Sequence, residues 1–144
     1  MGFLIWYIVY SAYICDIMEE RKWFEELPDL CPPSDAMACS GVFYRIAEGD
    51  PVKSLDFFSQ RRLNPDKVFL GAGIDECIVR SVSLFDDIDE TRKRLRLPKF
   101  RNSIIAEIVL SEEDGMIKKT FGVAHYSWWR SYCFDVNKAK VMML

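Results

Sequence analysis

The pattern of hydrophobic and polar residues predicts strands in several parts of the chain. Gly41–Ala47 (GVFYRIA) and Ile104–Leu110 (IIAEIVL) are rich in β-branched and aromatic residues and have clear boundaries, which is typical of strands. Residues 111–115 (SEEDG) contain Asp-Gly and predict a hairpin turn, after which the chain returns through a strand over residues 116–121. Residues 131–136 (SYCFDV) alternate between polar and apolar side chains, which predicts the final strand. A loop that contains HYSWWR is predicted before it.

Helical spacing and capping residues predict about three helices. Residues 16–27 place apolar side chains in a rough stripe and are followed by a proline, which ends a helix. Residues 51–63 follow an aspartate in the favoured cap-then-proline order, with Leu55 and Phe58 on the buried face. Residues 87–97 begin with another aspartate that has a glutamate three residues later, as in a capping box.

These elements together predict the fold class. Residues 76–85 fit either a strand or a short helix that Asp75 caps. Helices and strands interleave without βαβ regularity, so we predict an α+β domain with a mostly antiparallel sheet and about three helices. Residues 18–144 are the predicted single globular domain.

The amino-terminal residues 1–17 are predicted to be an apolar extension. Residues 2–15 carry no charge, and they are shorter than the roughly 20 residues of a membrane-spanning helix. They also lack the basic region and the small-residue cleavage site of a secretory signal. Either they form a buried helix or an oligomer contact, or translation begins at Met18, which we favour because a soluble domain gains nothing from an exposed apolar tail.

Composition adds predictions about location and metal binding. The net charge of −3 does not favour a nucleic-acid-binding protein as a whole. The five cysteines form no C-x-x-C motif and the single histidine excludes a two-cysteine, two-histidine zinc site. We therefore predict no metal site and a cytoplasmic protein with free thiols, with a small Cys31–Cys39 disulfide as the alternative.

Polar residues interrupt the apolar segments at four further positions. Arg45 either pairs with a carboxylate or offers its planar fork to a phosphate. Ser81 and Ser83 are either strand and cap residues or hydroxyl groups that bind a ligand ribose or orient a neighbouring side chain by hydrogen bonding. Glu107 points to solvent if one side of the sheet is covered, and is a candidate catalytic acid if both sides are covered.

The segment HYSWWR contains the only histidine, His125, beside an unusual set of aromatic residues. The tryptophans either fill the core or form a stacking surface for a base or nicotinamide-like ring, with His125 donating a hydrogen bond. Since adjacent side chains of an extended segment point in opposite directions, we expect Trp128 and Trp129 not to be buried together. Trp128 is thus a candidate cofactor-binding residue and His125 a candidate catalytic residue.

A basic run lies in and after the third predicted helix. It favours a solvated helix face first and nucleic acid or an acidic protein second, because the acidic segment DDIDE directly upstream offsets its charge. Its members are Arg92, Lys93, Arg94, Arg96, Lys99 and Arg101.

Part of the chain resembles the ADP-ribosyltransferase family. The residues that carry the resemblance are Tyr44-Arg45, Ser81-Val-Ser83 and the later IIAEIVLSEEDGMI. The resemblance implies NAD as cofactor, with the arginine on its phosphates, and a catalytic glutamate after the glycine turn. In this chain HYSWWR stands at that place, and the next carboxylate is Asp135.

Two functions follow as expectations. The first is a small binding or interaction domain of prokaryotic or phage type, whose partner is an unknown protein or a small nucleotide-like ligand. The alternative is an NAD-dependent ADP-ribosyltransferase-like or NAD glycohydrolase enzyme, in which Glu107 or Asp135 would supply the carboxylate. The alternative requires Arg45, the Ser81–Ser83 pair and His125 to converge in one cleft, whereas a binding module requires no such cleft.

Overall fold

A computed structural model describes residues 22–143 and confirms the α+β prediction. Its main feature is a seven-stranded sheet in the order β1-β5-β6-β3-β2-β4-β7, in which every neighbouring pair is antiparallel. The strands are β1 (Met37–Ala38), β2 (Gly41–Ala47), β3 (Val82–Phe85), β4 (Ile104–Leu110), β5 (Gly115–Lys119), β6 (His125–Arg130) and β7 (Lys140–Val141).

Three short α-helices accompany the sheet within residues 22–143. They are α1 (Gln60–Leu63), α2 (Glu76–Val79) and α3 (Ile88–Leu95). Each begins after a side-chain cap: Ser59, Asp75 and Asp87 accept hydrogen bonds from backbone N–H groups of the first turn, which satisfies donors that a helix leaves open. Short 3-10 turns cover Ser54–Phe57, Pro98–Phe100, Glu112–Asp114 and Val136–Lys138.

The region 76–85 contains both of the structures that its sequence fits. Asp75 caps α2, and strand β3 follows after a two-residue break. In the preceding segment, Phe57 is fully buried while the predicted core residue Leu55 is half exposed. The residues between 51 and 63 therefore form a 3-10 turn and a separate α-helix rather than one continuous helix.

The two tryptophans of HYSWWR are both fully buried, so the expectation that they would not be buried together is wrong. Trp128 packs edge-on against Phe57 and Phe134 and donates to the backbone oxygen of Asp114. Trp129 donates to the backbone oxygen of Cys77 in α2. The sheet is covered on both faces at β6, and a strand buried on both faces shows no alternation in its sequence.

Three elements predicted from the sequence are absent from the structure. HYSWWR is strand β6, and residues 131–136 form no strand. Burial on both faces removes the alternation by which β6 could have been recognised in the sequence. Residues 22–27 are not helical; Trp23 instead forms a bridge with Ser131. SEEDG makes no hairpin, since β4 pairs with β2 and β7 whereas β5 pairs with β1 and β6.

The cysteine prediction is wrong as well. Cys31 and Cys77 form a disulfide across 46 positions, and Cys133 is disulfide-bonded too. Cys39, the alternative partner for Cys31, is a free and buried thiol. Because Cys31 and Cys77 adjoin only in the folded chain, spacing along the sequence could not identify the pair.

The structure bears on only part of the predictions about membranes and the amino terminus. Within residues 22–143 no helix is both long and apolar enough to cross a membrane. The predicted extension 1–17, the Met18 start and the first part of the helix over residues 16–27 lie outside the described residues.

Candidate functional site

A cleft of about 650 Å³ lies where β2, β3, α3 and the start of β6 meet. Its volume falls within the range of about 300–1,000 Å³ that is usual for small-molecule sites. Its walls include three of the residues singled out from the sequence: Arg45, Ser83 and His125. Further lining residues are Ile46, Glu48, Leu55, Asp56, Gln60, Leu63, Lys67, Phe85, Arg94, Lys99, Phe100, Ser103 and Phe121.

Arg45 is held by backbone oxygens rather than by a carboxylate. Its Nε donates to the Asp56 oxygen at 2.8 Å, and its Nη1 donates to the Ser83 oxygen at 2.9 Å. Strands β2 and β3 pair at a single register position, Tyr44 with Phe85, so the Arg45 side chain links the two strands where the backbone ladder stops. Nη2 has no hydrogen-bond partner among residues 22–143 and is not sealed inside the protein.

The Asp56 carboxylate, which lies near this guanidinium, is already engaged. Its two oxygens accept from the backbone N–H groups of Glu48 and Lys53, each at 2.9 Å. Burial lowers the pKa of Arg45 to about 10, against the opposing charges of Asp56 and Glu48. Arg45 therefore keeps its charge at neutral pH, without an ion-pair partner within 4 Å among the described residues.

The two serines have different positions. Ser83 lines the cleft and supplies the backbone oxygen that holds Arg45. Ser81 does not line it; its hydroxyl donates to the Ile78 oxygen at 2.7 Å and closes the end of α2. The convergence expected from the sequence thus includes Ser83 and excludes Ser81.

His125 enters the cleft at the start of β6. Its Nδ1 lies 2.9 Å from the Thr120 hydroxyl, and its ring packs near those of Phe85 and Phe121 at 5.3 and 5.6 Å between centroids. Burial, assisted by the positive charges of Arg94 and Arg45, lowers the pKa of His125 to about 4. The imidazole is therefore neutral at physiological pH.

The basic run after β3 contributes to the same cleft. Arg94 and Lys99 line it, and Arg94 also lies over the Phe85 ring. Arg92 and Lys93 instead pair with Asp89 and Glu90 of their own helix. The run therefore does not present all of its charges to one external surface.

An adjoining depression of about 490 Å³ extends the cleft. The two cavities share Glu48, Lys99 and Ser103, and the depression adds Arg101 and Asn102. Basic residues of the segment after α3 therefore line both parts of a continuous groove.

Glu107 and Asp135 lie apart from this cleft. Glu107 is half buried, pairs with Tyr44 on one side and Lys140 on the other, and does not line the cavity. From Glu107 the lateral row of the sheet passes through Tyr44 and Phe85 to His125, which is three strand spacings or about 14 Å. Asp135 is exposed and caps the 3-10 turn Val136–Lys138. Neither carboxylate is placed to act beside Arg45.

Trp128 does not reach the cleft either. Its indole belongs to the buried core, with no exposed surface, and does not line the cavity. Trp128 therefore does not contribute to this cleft, because the second covered face of β6 encloses the side chain.

Several residues of the cleft were not singled out from the sequence. Glu48 and Asp56 are the carboxylates that line it among residues 22–143, and Phe85, Phe100 and Phe121 provide aromatic walls. Phe121 follows β5 in a loop, and its exposure of 45% is high for so large an apolar side chain. The one available signal was the presence of phenylalanine in a short segment rich in turn residues.

No family model, curated protein or solved structure matches this chain. Its site must therefore be interpreted from its own geometry. Among residues 22–143 no group of three or more histidine, cysteine, aspartate or glutamate side chains is arranged to hold a metal ion.

Proposed function

We propose that this chain is a binding domain for a small anionic ligand that also carries a planar ring, as a nucleotide does. The ligand would occupy the cleft that contains Arg45, Ser83 and His125. The proposal narrows the expected binding function to a small molecule, since a module that binds only through its surface has no need of such a cleft.

The observation that carries the proposal is that Arg45 is a cation without an ion-pair partner among residues 22–143. A partly buried charge is unfavourable unless an opposite charge or hydrogen bonds compensate for the lost contact with water. Two of the Arg45 donors are fixed by backbone oxygens, while Nη2 has no hydrogen-bond partner within the described part of the chain, which suits a phosphate or carboxylate. Arg94, Lys67 and Lys99 strengthen the preference for an anion.

The aromatic walls support the second half of the proposal. Phe85, Phe121 and the His125 ring surround one part of the cleft. Planar rings stack on or pack edge-to-face with such side chains, and each aromatic contact adds about 0.5–1.5 kcal/mol. A ligand with both a phosphate and a base would use both parts of the cleft.

The test is isothermal titration of the full chain with pyrophosphate, ADP-ribose and NAD. We expect wild-type protein to bind at least one of them, and Arg45→Ala to weaken binding about 10- to 100-fold, because it removes charge-assisted hydrogen bonds of about 1.5–3 kcal/mol. Since Arg45 also links β2 and β3, Arg94→Ala serves as a second variant and should weaken binding several-fold.

The matched control is Arg96→Ala, which removes an exposed arginine of the same segment that does not line the cleft. Equal affinities in Arg94→Ala and Arg96→Ala, or no binding of any of the three probes to wild type, would overturn the proposed function.

A second candidate is an NAD-consuming enzyme of the ADP-ribosyltransferase type. Glu48 favours it, because this exposed carboxylate lines the cleft while its backbone N–H donates to Asp56. In NAD hydrolysis, water adds to the ribose carbon as the bond to nicotinamide breaks, and a carboxylate stabilises the positive charge that develops on the sugar. Nicotinamide release by wild type and its loss in Glu48→Gln would support this candidate; NAD binding without release would leave the binding domain alone.

The compartment is also a proposal. Cytoplasmic location was expected from free thiols, and the Cys31–Cys77 disulfide removes that ground. Disulfides persist in oxidising compartments, so we infer that the chain acts in one of them. Peptide mapping of the protein from its natural host, without reduction, would identify the linked peptides or the free thiols.

A further inference from the structure

A short series of hydroxyl groups leads from the protein interior to His125. Ser127 is buried, with 1% of its surface exposed, and its Oγ lies 2.9 Å from the Thr120 Oγ1. The Thr120 Oγ1 lies 2.9 Å from His125 Nδ1. The Thr120 backbone N–H also donates to the His125 oxygen, so a backbone hydrogen bond holds the two residues beside each other.

Counting hydrogens distinguishes the two ways of arranging this series. If His125 Nδ1–H donated to Thr120, either the Ser127 or the Thr120 hydroxyl hydrogen would have no acceptor among residues 22–143, because a threonine oxygen can accept twice but the pair has one acceptor too few. An unsatisfied buried donor costs about 1–3 kcal/mol. If Ser127 donates to Thr120 and Thr120 donates to Nδ1, every hydroxyl hydrogen has an acceptor.

We propose that Ser127 and Thr120 hold His125 as the neutral Nε2–H tautomer, so that its ring presents a hydrogen-bond donor to the cleft. Thr120 is then a positioning residue. Burial, with the neighbouring cations Arg94 and Arg45, opposes a second proton and keeps the ring neutral. Nε2 has no partner among the described residues.

The tautomer restricts the ligand, and this consequence rests on the proposed function. The group opposite His125 must be a hydrogen-bond acceptor, such as the carbonyl oxygen of a carboxamide or of a base. A second anionic group is not required there, because the imidazole is neutral. Arg45 would select the phosphate, and His125 would select the ring.

The tautomer can be measured without any ligand. His125 is the only histidine, so long-range ¹H–¹⁵N spectra of histidine-labelled protein contain one imidazole from the chain. At pH 7 we expect a protonated Nε2 and an unprotonated, hydrogen-bonded Nδ1. A protonated Nδ1 in wild type would overturn the inference.

Variants test the role of Thr120 separately. Thr120→Val should move the Nδ1 resonance towards the value of an unbonded nitrogen, while Thr120→Ser, which keeps the hydroxyl, should restore the wild-type value. Ser127→Ala leaves the Thr120 donor in place and should keep the Nε2–H tautomer. An unchanged Nδ1 resonance in Thr120→Val, or a change of tautomer in Ser127→Ala, contradicts the proposal.

Ligand titrations separate this inference from the proposed function. His125→Phe keeps a ring but removes the donor, so its affinity for NAD should fall about three- to tenfold, while its affinity for pyrophosphate stays unchanged. Equal losses for NAD and pyrophosphate would contradict the selection of the ring by His125. If neither probe binds to wild type, the proposed function fails, whereas the spectra alone decide the tautomer.

Discussion

Arg45 and His125 owe their properties to neighbours that are distant in the sequence. Arg45 is an ordinary strand arginine until the Asp56 and Ser83 oxygens fix its guanidinium. His125 would titrate near pH 6.5 in an unfolded chain, and burial with two nearby arginines lowers its pKa to about 4. Residue types alone indicated that these positions were candidates, but their charge states depend on the assembled cleft.

The depressed pKa of His125 predicts a pH dependence of stability. Between about pH 4 and 6.5 the unfolded state binds a proton that the native state does not, so stability is lost as pH falls through this range. From pH 7 to pH 4.5 we expect wild type to lose about 2 kcal/mol of unfolding free energy relative to His125→Gln. Denaturant titrations of both proteins across this range would measure it; a constant difference would exclude a lowered pKa.

Ser81 and Ser83 show why the residues that hold Arg45 could not be identified from the sequence. A Ser-x-Ser segment suggested two ligand hydroxyls, yet Ser81 closes a helix and Ser83 contributes its backbone oxygen. A backbone group is present at every residue, so no sequence pattern could mark this contact. Ser83 lines the cleft, but the atom by which it holds Arg45 could not be foreseen.

Strand β6 shows which elements could be predicted from the sequence and which could not. It lies between β3 and β5, both faces are buried, and its sequence shows no alternation, so it was predicted to be a loop. Strands β2 and β4 were predicted correctly because their β-branched residues and boundaries are local properties. The pairing of strands is not local, which is why the expected hairpin between β4 and β5 is wrong.

Substitution of Gly115, where β5 begins beside β6, should destabilise the fold severely. Gly115 has φ +123°, and an added Cβ would lie 2.1 Å from the Trp129 backbone oxygen. Gly115→Ala should therefore destabilise the fold by at least about 2 kcal/mol more than Gly122→Ala, because strain and overpacking add. Gly122 is the matched control, since its φ is +100° and a Cβ there would meet nothing within 4 Å.

Thermal and urea unfolding of the two glycine variants would provide the comparison. Similar stabilities would mean that the strands separate at little cost to accept the methyl group. That result would contradict the close approach of Gly115 to the β6 backbone.

For the molecule as a whole, the disulfide joins segments that the sheet does not connect. Cys31 lies in the proline-rich segment before β1, and Cys77 lies in α2, whose backbone also accepts from Trp129. A helix of four residues is not stable by itself. The Asp75 cap and the Glu76–Arg80 ion pair stabilise α2 itself, while the disulfide, the Trp129 hydrogen bond and the Arg61–Glu76 ion pair connect it to the rest of the fold.

Removal of the Cys31–Cys77 disulfide should cause a large loss of stability. Cys31→Ala with Cys77→Ala should lower the free energy of unfolding by about 4 kcal/mol, since the bridge closes a long loop in the unfolded chain. Cys39→Ala, which deletes a buried thiol that is not bridged, should lower it by only about 1 kcal/mol. Denaturant unfolding of both variants would measure the values; equal losses would argue that Cys31 and Cys77 are not linked in solution.

The amino-acid sequence by itself determined the α+β class, the strands β2 and β4, the capped helix α3 and most of the candidate residues, because propensity, capping and charge act over a few positions. The tertiary structure alone decided that Arg45, Ser83 and His125 meet while Ser81, Glu107 and Trp128 do not. It also decided the Cys31–Cys77 pair and the burial of both tryptophans. These features depend on strand order and on which faces of the sheet are covered, and both arise from packing between distant segments.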